Sequence, residues 1–207
     1  MQSIASSKTP CESCSAFRKS LQAQFQGAAY VYTQTQSGFF SQATLTAPDG
    51  ALISELGISV AISGNTVAVG APYSAVGNQP TQGAIYVYAK PSTGWVDATE
   101  TGKLTASDGV SQDQLGMSVS VSGSVIVGGA PRHLVGSNSR QGAGYVYIKS
   151  GSWHDQTENL EITPSDGAAF DNFGQSVGIS GTTAVGGSIG AKDIFGNAKG
   201  AAYTFTQ

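Results

Sequence analysis

Along much of the chain apolar and polar residues alternate with a period of two, which marks strands with one buried face and not helices. Ile58, Val60 and Ile62 alternate with Ser59, Ala61 and Ser63, and the pattern returns as Met117, Val119 and Val121 against Ser118, Ser120 and Ser122. A Gly-X pair follows these strands, at Gly64-Asn65 and Gly123-Ser124, with Gly181-Thr182 as a third. Such a pair between apolar runs predicts a two-residue type II′ hairpin, because glycine accepts the positive φ of the first turn position. The second strand runs from Val67 to Val69, Val125 to Val127 and Thr183 to Val185. A polar loop leads to a third, tyrosine-rich strand, with Tyr86 and Tyr88 or Tyr145 and Tyr147. A Gly/Ser turn then opens a fourth strand, from Trp95 to Leu104 and from Trp153 to Ile162.

This pattern is itself a repeat. The strings GAAYVY, GAIYVY, GAGYVY and GAAYTF begin at Gly27, Gly83, Gly142 and Gly200, spaced 56, 59 and 58 residues apart. Leu56-Gly57, Leu115-Gly116 and Phe173-Gly174 keep the same register, as do the Asp-Gly pairs at Asp49, Asp108 and Asp166 and the aromatic series Phe39, Trp95 and Trp153. Four antiparallel strands per unit predict an all-β fold of propeller blades, in units 27–82, 83–141 and 142–199 with a partial unit 200–207. Residues 1–26 fall outside the repeat. There, Ala16 to Phe25 form either a short helix with Phe17, Leu21 and Phe25 on one narrow stripe or a poorly packed leader.

Composition narrows the function. Of 207 residues 28 are glycine, 40% are hydrophobic and only 11% are charged, with a net charge of -3. That apolar fraction and small net charge argue against disorder. The absence of any Lys/Arg run argues against a nucleic-acid partner. No apolar run approaches the ~18 residues of a spanning helix, and the N-terminus lacks the apolar stretch of a signal peptide. Cys11 and Cys14 form a lone C-x-x-C. A structural zinc site needs four ligands, so an incidental dithiol or a local disulfide is expected there, and no cofactor is expected elsewhere.

With Phe173-Gly174, its variants Leu56-Gly57 and Leu115-Gly116, and the Gly-Ala-Pro runs at Gly70 and Gly129, residues 27–207 resemble FG-GAP repeats, the blade unit of the integrin α-subunit propeller. The third unit departs, with Gly186-Gly187-Ser188 in place of Gly-Ala-Pro. The resemblance implies a β-propeller and an extracellular or cell-surface binding and adhesion module whose ligand is a protein or a glycan. The glycine of each FG pair is expected to let neighbouring blades approach closely. Pro72 and Pro131, lacking an N–H, are expected to end the second strand. Calcium-binding members of the family carry an Asp-rich loop between the first two strands. Here Ser63-Gly64-Asn65-Thr66 offers no carboxylate, so no metal is expected.

The chain enters the repeat at a third strand and leaves it at one. That gives two full blades flanked by two partial ones, about 13 strands, where a closed ring needs at least ~16. Further blades of a longer parent chain, or a second copy, are the expected means of completing it.

In such blades the loops Tyr73 to Gln82, Arg132 to Gln141 and Ile189 to Lys199 share a face with the blade-to-blade connections. On that face Tyr73, Asp108, Asp113, Arg132, His133, Asp166 and Asp171 are the candidate ligand-binding residues. For His133 a solvated loop position beside Arg132 is expected, and for the Asp pairs turn capping. His154 is expected to be an exposed strand residue. No catalytic residues are assigned. The competing reading is a propeller-fold hydrolase or lyase acting on polysaccharide, with Arg132 and His133 near the Asp pairs as its support.

Overall fold

Fifteen strands form over the described residues, 26–50, 53–193 and 195–206, of a computed structural model. They are β1 (Ala29–Thr35), β2 (Gly38–Thr46), β3 (Ser59–Ser63), β4 (Thr66–Ala71), β5 (Ala84–Ala89), β6 (Ala98–Thr99), β7 (Gly102–Thr105), β8 (Ser118–Ser122), β9 (Val125–Ala130), β10 (Ala143–Ile148), β11 (Gln156–Thr157), β12 (Leu160–Ile162), β13 (Phe173–Ser180), β14 (Thr183–Ser188) and β15 (Ala201–Thr206). Cys11, Cys14 and the stretch from Ala16 to Phe25 lie outside the described residues. Among the described residues no helix is long and apolar enough to cross a membrane.

The strands form four blades. The second blade is ordered β7-β5-β4-β3 and the third β12-β10-β9-β8, while β1 and β2 represent the first and β13, β14 and β15 the fourth. This is an all-β, incomplete propeller of antiparallel blades, as the alternation predicts. In and just before β3, however, the apolar side is not the covered one: Ile58, Val60 and Ile62 are exposed, and Ser59, Ala61 and Ser63 are half-buried. Ser63, Ser122 and Ser180 pair with Thr66, Val125 and Thr183 across two-residue turns. Gly64, Gly123 and Gly181 take φ of 56°, 57° and 57°, and the residue after each keeps a negative φ, as a type II′ turn requires.

The expected fourth strand is corrected by the structure. It breaks into two pieces, and the first leaves its own blade: β6 pairs in parallel with β2, and β11 in parallel with β7. Each piece thus clamps the outer strand of the preceding blade, and an aspartate fastens it. Asp97 accepts from Thr44 N at 2.7 Å and Asp155 from Lys103 N at 2.8 Å. His154 is exposed as expected, but it lies in the connection before β11 and not in a strand.

Blades stack through an apolar layer between each pair. The tyrosines of the repeat string point back towards the preceding blade: Tyr86 and Tyr88 pack with Ala29, Val31 and Leu45, while Ile85 and Val87 on the opposite face pack with Tyr145 and Tyr147. Tyr30 and Tyr32 hold the same places in the first blade, where no earlier blade lies among the described residues, and they remain 59% and 57% exposed.

The glycines of the two family motifs meet across the boundaries between the second and third and between the third and fourth blades. A Cβ on Gly70 would lie 1.9 Å from the carbonyl of Gly116, and one on Gly129 1.9 Å from that of Gly174. Backbone therefore packs on backbone, closer than any side chain permits. Strands β4 and β9 end at Ala71 and Ala130, directly before Pro72 and Pro131.

Candidate functional site

Strand reversal puts the long loops and the blade-to-blade connections at one end of the blades, opposite the type II′ turns. Every described non-glycine residue with positive φ lies at this loop end: Ile53, Glu55, Thr81, Gln112, Gln114, Arg140, Phe170 and Asn172. Strain of this kind persists only where the surroundings fix it, and it gathers at ligand-handling sites. None of these is a glycine, so the sequence carries no signal for it.

Each blade boundary builds one cluster here, on a common plan. In the second blade Tyr86 donates its hydroxyl to Asp49 at 2.8 Å, and Lys103 Nζ reaches the other oxygen of that carboxylate at 2.6 Å. Burial alone would raise the Asp49 carboxyl, but the bonds from Lys103 and Tyr86 outweigh it and hold it below the usual carboxylate range. Burial would lower the Lys103 amine, and Asp49 raises it instead.

In the third blade Tyr145 donates to Asp108 at 2.9 Å, repeating the Tyr86–Asp49 bond, but its other neighbours differ. The place of Ser74, three residues beyond Ala71, is taken by His133, three beyond Ala130. The place of Lys103, paired with Tyr86 on the adjacent strand, is taken by Glu161, paired with Tyr145. His133 is 5% exposed, so the expectation of a solvated loop residue is corrected, although Arg132 beside it is exposed.

The His133 ring sits edge-on to Tyr145, with centroids 5.8 Å apart. Its Nδ1 lies 2.9 Å from Asp113 Oδ2, and its Nε2 lies 3.4 Å from Asp108 Oδ2 and 4.0 Å from Glu161 Oε1. Burial works against the charged imidazole, but Asp113, Asp108 and Glu161 outweigh it and raise its pKa above the ordinary histidine value. Burial, then the Asp108 charge, raises the Glu161 carboxyl. One ligand atom each from Asp108, His133 and Glu161 lies within 4.8 Å of the others, which makes this trio the candidate metal-holding group among the described residues.

The expected turn capping splits between the members of each Asp pair. Asp113 and Asp171 are buried and accept from Val110 N and Ala168 N, both at 2.8 Å. Asp108 instead reaches Tyr145 on the next blade. Asp166 is exposed and hydrogen-bonded to Tyr203, whose phenol burial and that bond push upward. In the fourth blade Ala191 stands where His133 stands in the third, and Asp171 Oδ1 is buried with no hydrogen-bond partner among the described residues. Tyr73 is half-buried in the first long loop.

Sequence reasoning passed over Glu161, which reads as one more strand residue between Leu160 and Ile162. It also passed over Gln26, Gln82 and Gln141, which recur directly before the repeat string. Gln26 and Gln82 donate to Ala47 O at 2.8 Å and Ala106 O at 3.1 Å. The glycine of each Asp-Gly pair leaves room for the adjacent glutamine amide, 2.1 Å from where the Gly109 Cβ would stand.

The profile of the FG-GAP repeat matches residues 39–88, 98–147 and 156–205. Each match begins at or within an outer-strand region and runs through the first three strands of the following blade. Comparison with curated proteins gives no match.

Proposed function

We propose, from the premise that this chain belongs to the FG-GAP repeat family, that its propeller blades form a non-catalytic binding module at the cell surface or outside the cell, recognising a protein or a glycan through the loop end. One observation carries the reading. Side-chain chemistry changes there around a fixed framework, since equivalent positions hold Ser74, His133 and Ala191, or Lys103 and Glu161, around a Tyr–Asp bond repeated in three blades. At the opposite end the first two strands of the second, third and fourth blades join through near-identical two-residue turns. A rigid scaffold with varied side chains at one rim is the usual arrangement of a recognition surface. Family resemblance supports the location, and the arrays that test the reading are glycan and cell-surface protein arrays probed with the whole chain. Saturable binding to one class is expected, and no binding to either overturns the reading.

A second reading draws on the three carboxylates around His133, all within 4.0 Å. A hydrolase or lyase acting on polysaccharide would use such a group for proton transfer. Incubation with a polysaccharide panel separates the two, since new reducing ends or unsaturated products, lost in His133→Gln, would replace the binding reading.

A further inference from the structure

The clusters of the second and third blades differ in one respect that has a chemical consequence. In the second blade the oxygen of Asp49 not bound by Tyr86 faces a cation carried by the chain, the Lys103 ammonium, at 2.6 Å. In the third blade that lysine is replaced by Glu161, which adds a second carboxylate where the ammonium stood, and Ser74 is replaced by His133. We propose that the place of the Lys103 ammonium is taken in the third blade by a zinc ion, held by Asp108 Oδ2, His133 Nε2 and Glu161 Oε1.

The donor set and its support fit that ion. Asp113, itself 3% exposed and anchored by Val110 N at 2.8 Å, accepts from His133 Nδ1 at 2.9 Å. A carboxylate on Nδ1 fixes the ring and directs the Nε2 lone pair outward, the usual second partner of a metal-bound histidine. Tyr145 occupies the other oxygen of Asp108 at 2.9 Å, which turns Oδ2 towards the histidine. Zinc bonds of ~2.0–2.1 Å place tetrahedral ligand atoms about 3.3–3.4 Å apart. The Nε2 to Asp108 distance is already 3.4 Å, and the 4.0 Å to Glu161 closes with a small movement of that side chain.

One imidazole and two carboxylates balance a divalent charge. The nitrogen selects zinc over calcium and magnesium, which take oxygen ligands. Asp108 and Glu161 side chains are 45% and 35% exposed, so the fourth position opens to solvent on the loop face. Binding displaces the Nε2 proton to solvent.

The test uses the full chain carrying Cys11→Ser and Cys14→Ser, so that no thiolate competes, freed of metal by chelation and titrated with zinc alone by calorimetry. One equivalent is expected, and cobalt(II) in its place should give the visible absorption of a tetrahedral site. Glu161→Lys restores the arrangement of the second blade and should keep the fold by circular dichroism while weakening zinc binding at least tenfold. His133→Ser should do the same, and His154→Ala should leave binding unchanged. Absence of zinc binding, binding unchanged in folded Glu161→Lys, or calcium binding as tight as zinc each overturns the proposal.

Discussion

Ser118 donates its hydroxyl to the carbonyl oxygen of Gly174 at 2.8 Å, across the boundary between the third and fourth blades. Ser59 makes the same bond to Gly116, one blade earlier, at 2.8 Å. Further along the same inner strands, Ser63 accepts from Gly123 N at 3.1 Å and Ser122 from Gly181 N at 3.2 Å. The small polar residues that alternate along each inner strand therefore belong to the blade interface. Ser118→Ala should lower stability by about 1 kcal/mol, the worth of one such bond, in urea unfolding at unchanged slope. An unchanged midpoint would show that the interface does not depend on it.

Close backbone approach at the motif glycines predicts a larger loss. Gly129→Ala would place a methyl 1.9 Å from the Gly174 carbonyl, so the two blades must part, and a loss of about 3 kcal/mol or more is expected. Gly136 serves as the control, because its φ is 60° but nothing lies within 4 Å of an added Cβ. Gly136→Ala should cost only the left-handed strain, about 1–2 kcal/mol. Equal losses in the two variants would contradict the interlock.

Much of this architecture is legible in the residues. The alternation at Ile58 to Ser63, the Gly-X turns and the tyrosine strings gave strands, hairpins and blade count, because period and turn chemistry are local properties. The break between β6 and β7 is not local. Two-residue strands carry no period, and β6 leaves its blade because Asp97 and the outer strand of the preceding blade attract it. The site was half legible. Asp108, Asp113 and His133 stood out by type and spacing, but the burial of His133 and the inclusion of Glu161 depend on the Tyr145–Glu161 register, which no spacing reveals. The positive φ of Gln112 and Gln114 left no trace in residue type.

The ion pair of the second blade sets a pH dependence. Asp49 has a folded pKa below its unfolded value of about 4, so its contribution is present above that value and is lost as pH falls through the folded pKa. Lys103 has a folded pKa above its unfolded value of about 10.4, so its contribution is present below that value and is lost as pH rises through the folded one. Melting temperatures of wild type and Lys103→Met should therefore differ most between these limits and converge towards acid below the Asp49 pKa. A constant difference down to pH 2 would show that the pair does not titrate with unfolding. The Asp49 side chain is 46% exposed, so added salt should shrink the difference.

Calcium should be without effect on the fold. The first two strands of the blades join through Gly64-Asn65, Gly123-Ser124 and Gly181-Thr182, with no carboxylate in the turns. A ligand at a hundred times its Kd stabilises the native state by about 2.7 kcal/mol. Melts in EGTA and in millimolar calcium should coincide, and a reproducible rise of several degrees in calcium would reveal a site elsewhere on the blades.

The separation of a structural blade interface from a recognising loop end is tested most directly by one variant. The exposed residues of the loops from Tyr73 to Gln82, Arg132 to Gln141 and Ile189 to Lys199 are exchanged for Gly and Ser, while buried Ser74, Gln82, His133 and Gln141 are kept. Its binding to the ligand identified on the arrays is measured beside its melting temperature. The account predicts a melting temperature within about 3 °C of wild type, about 1 kcal/mol for a chain of this size, and binding weaker by at least tenfold. Undiminished binding by the folded variant would contradict it.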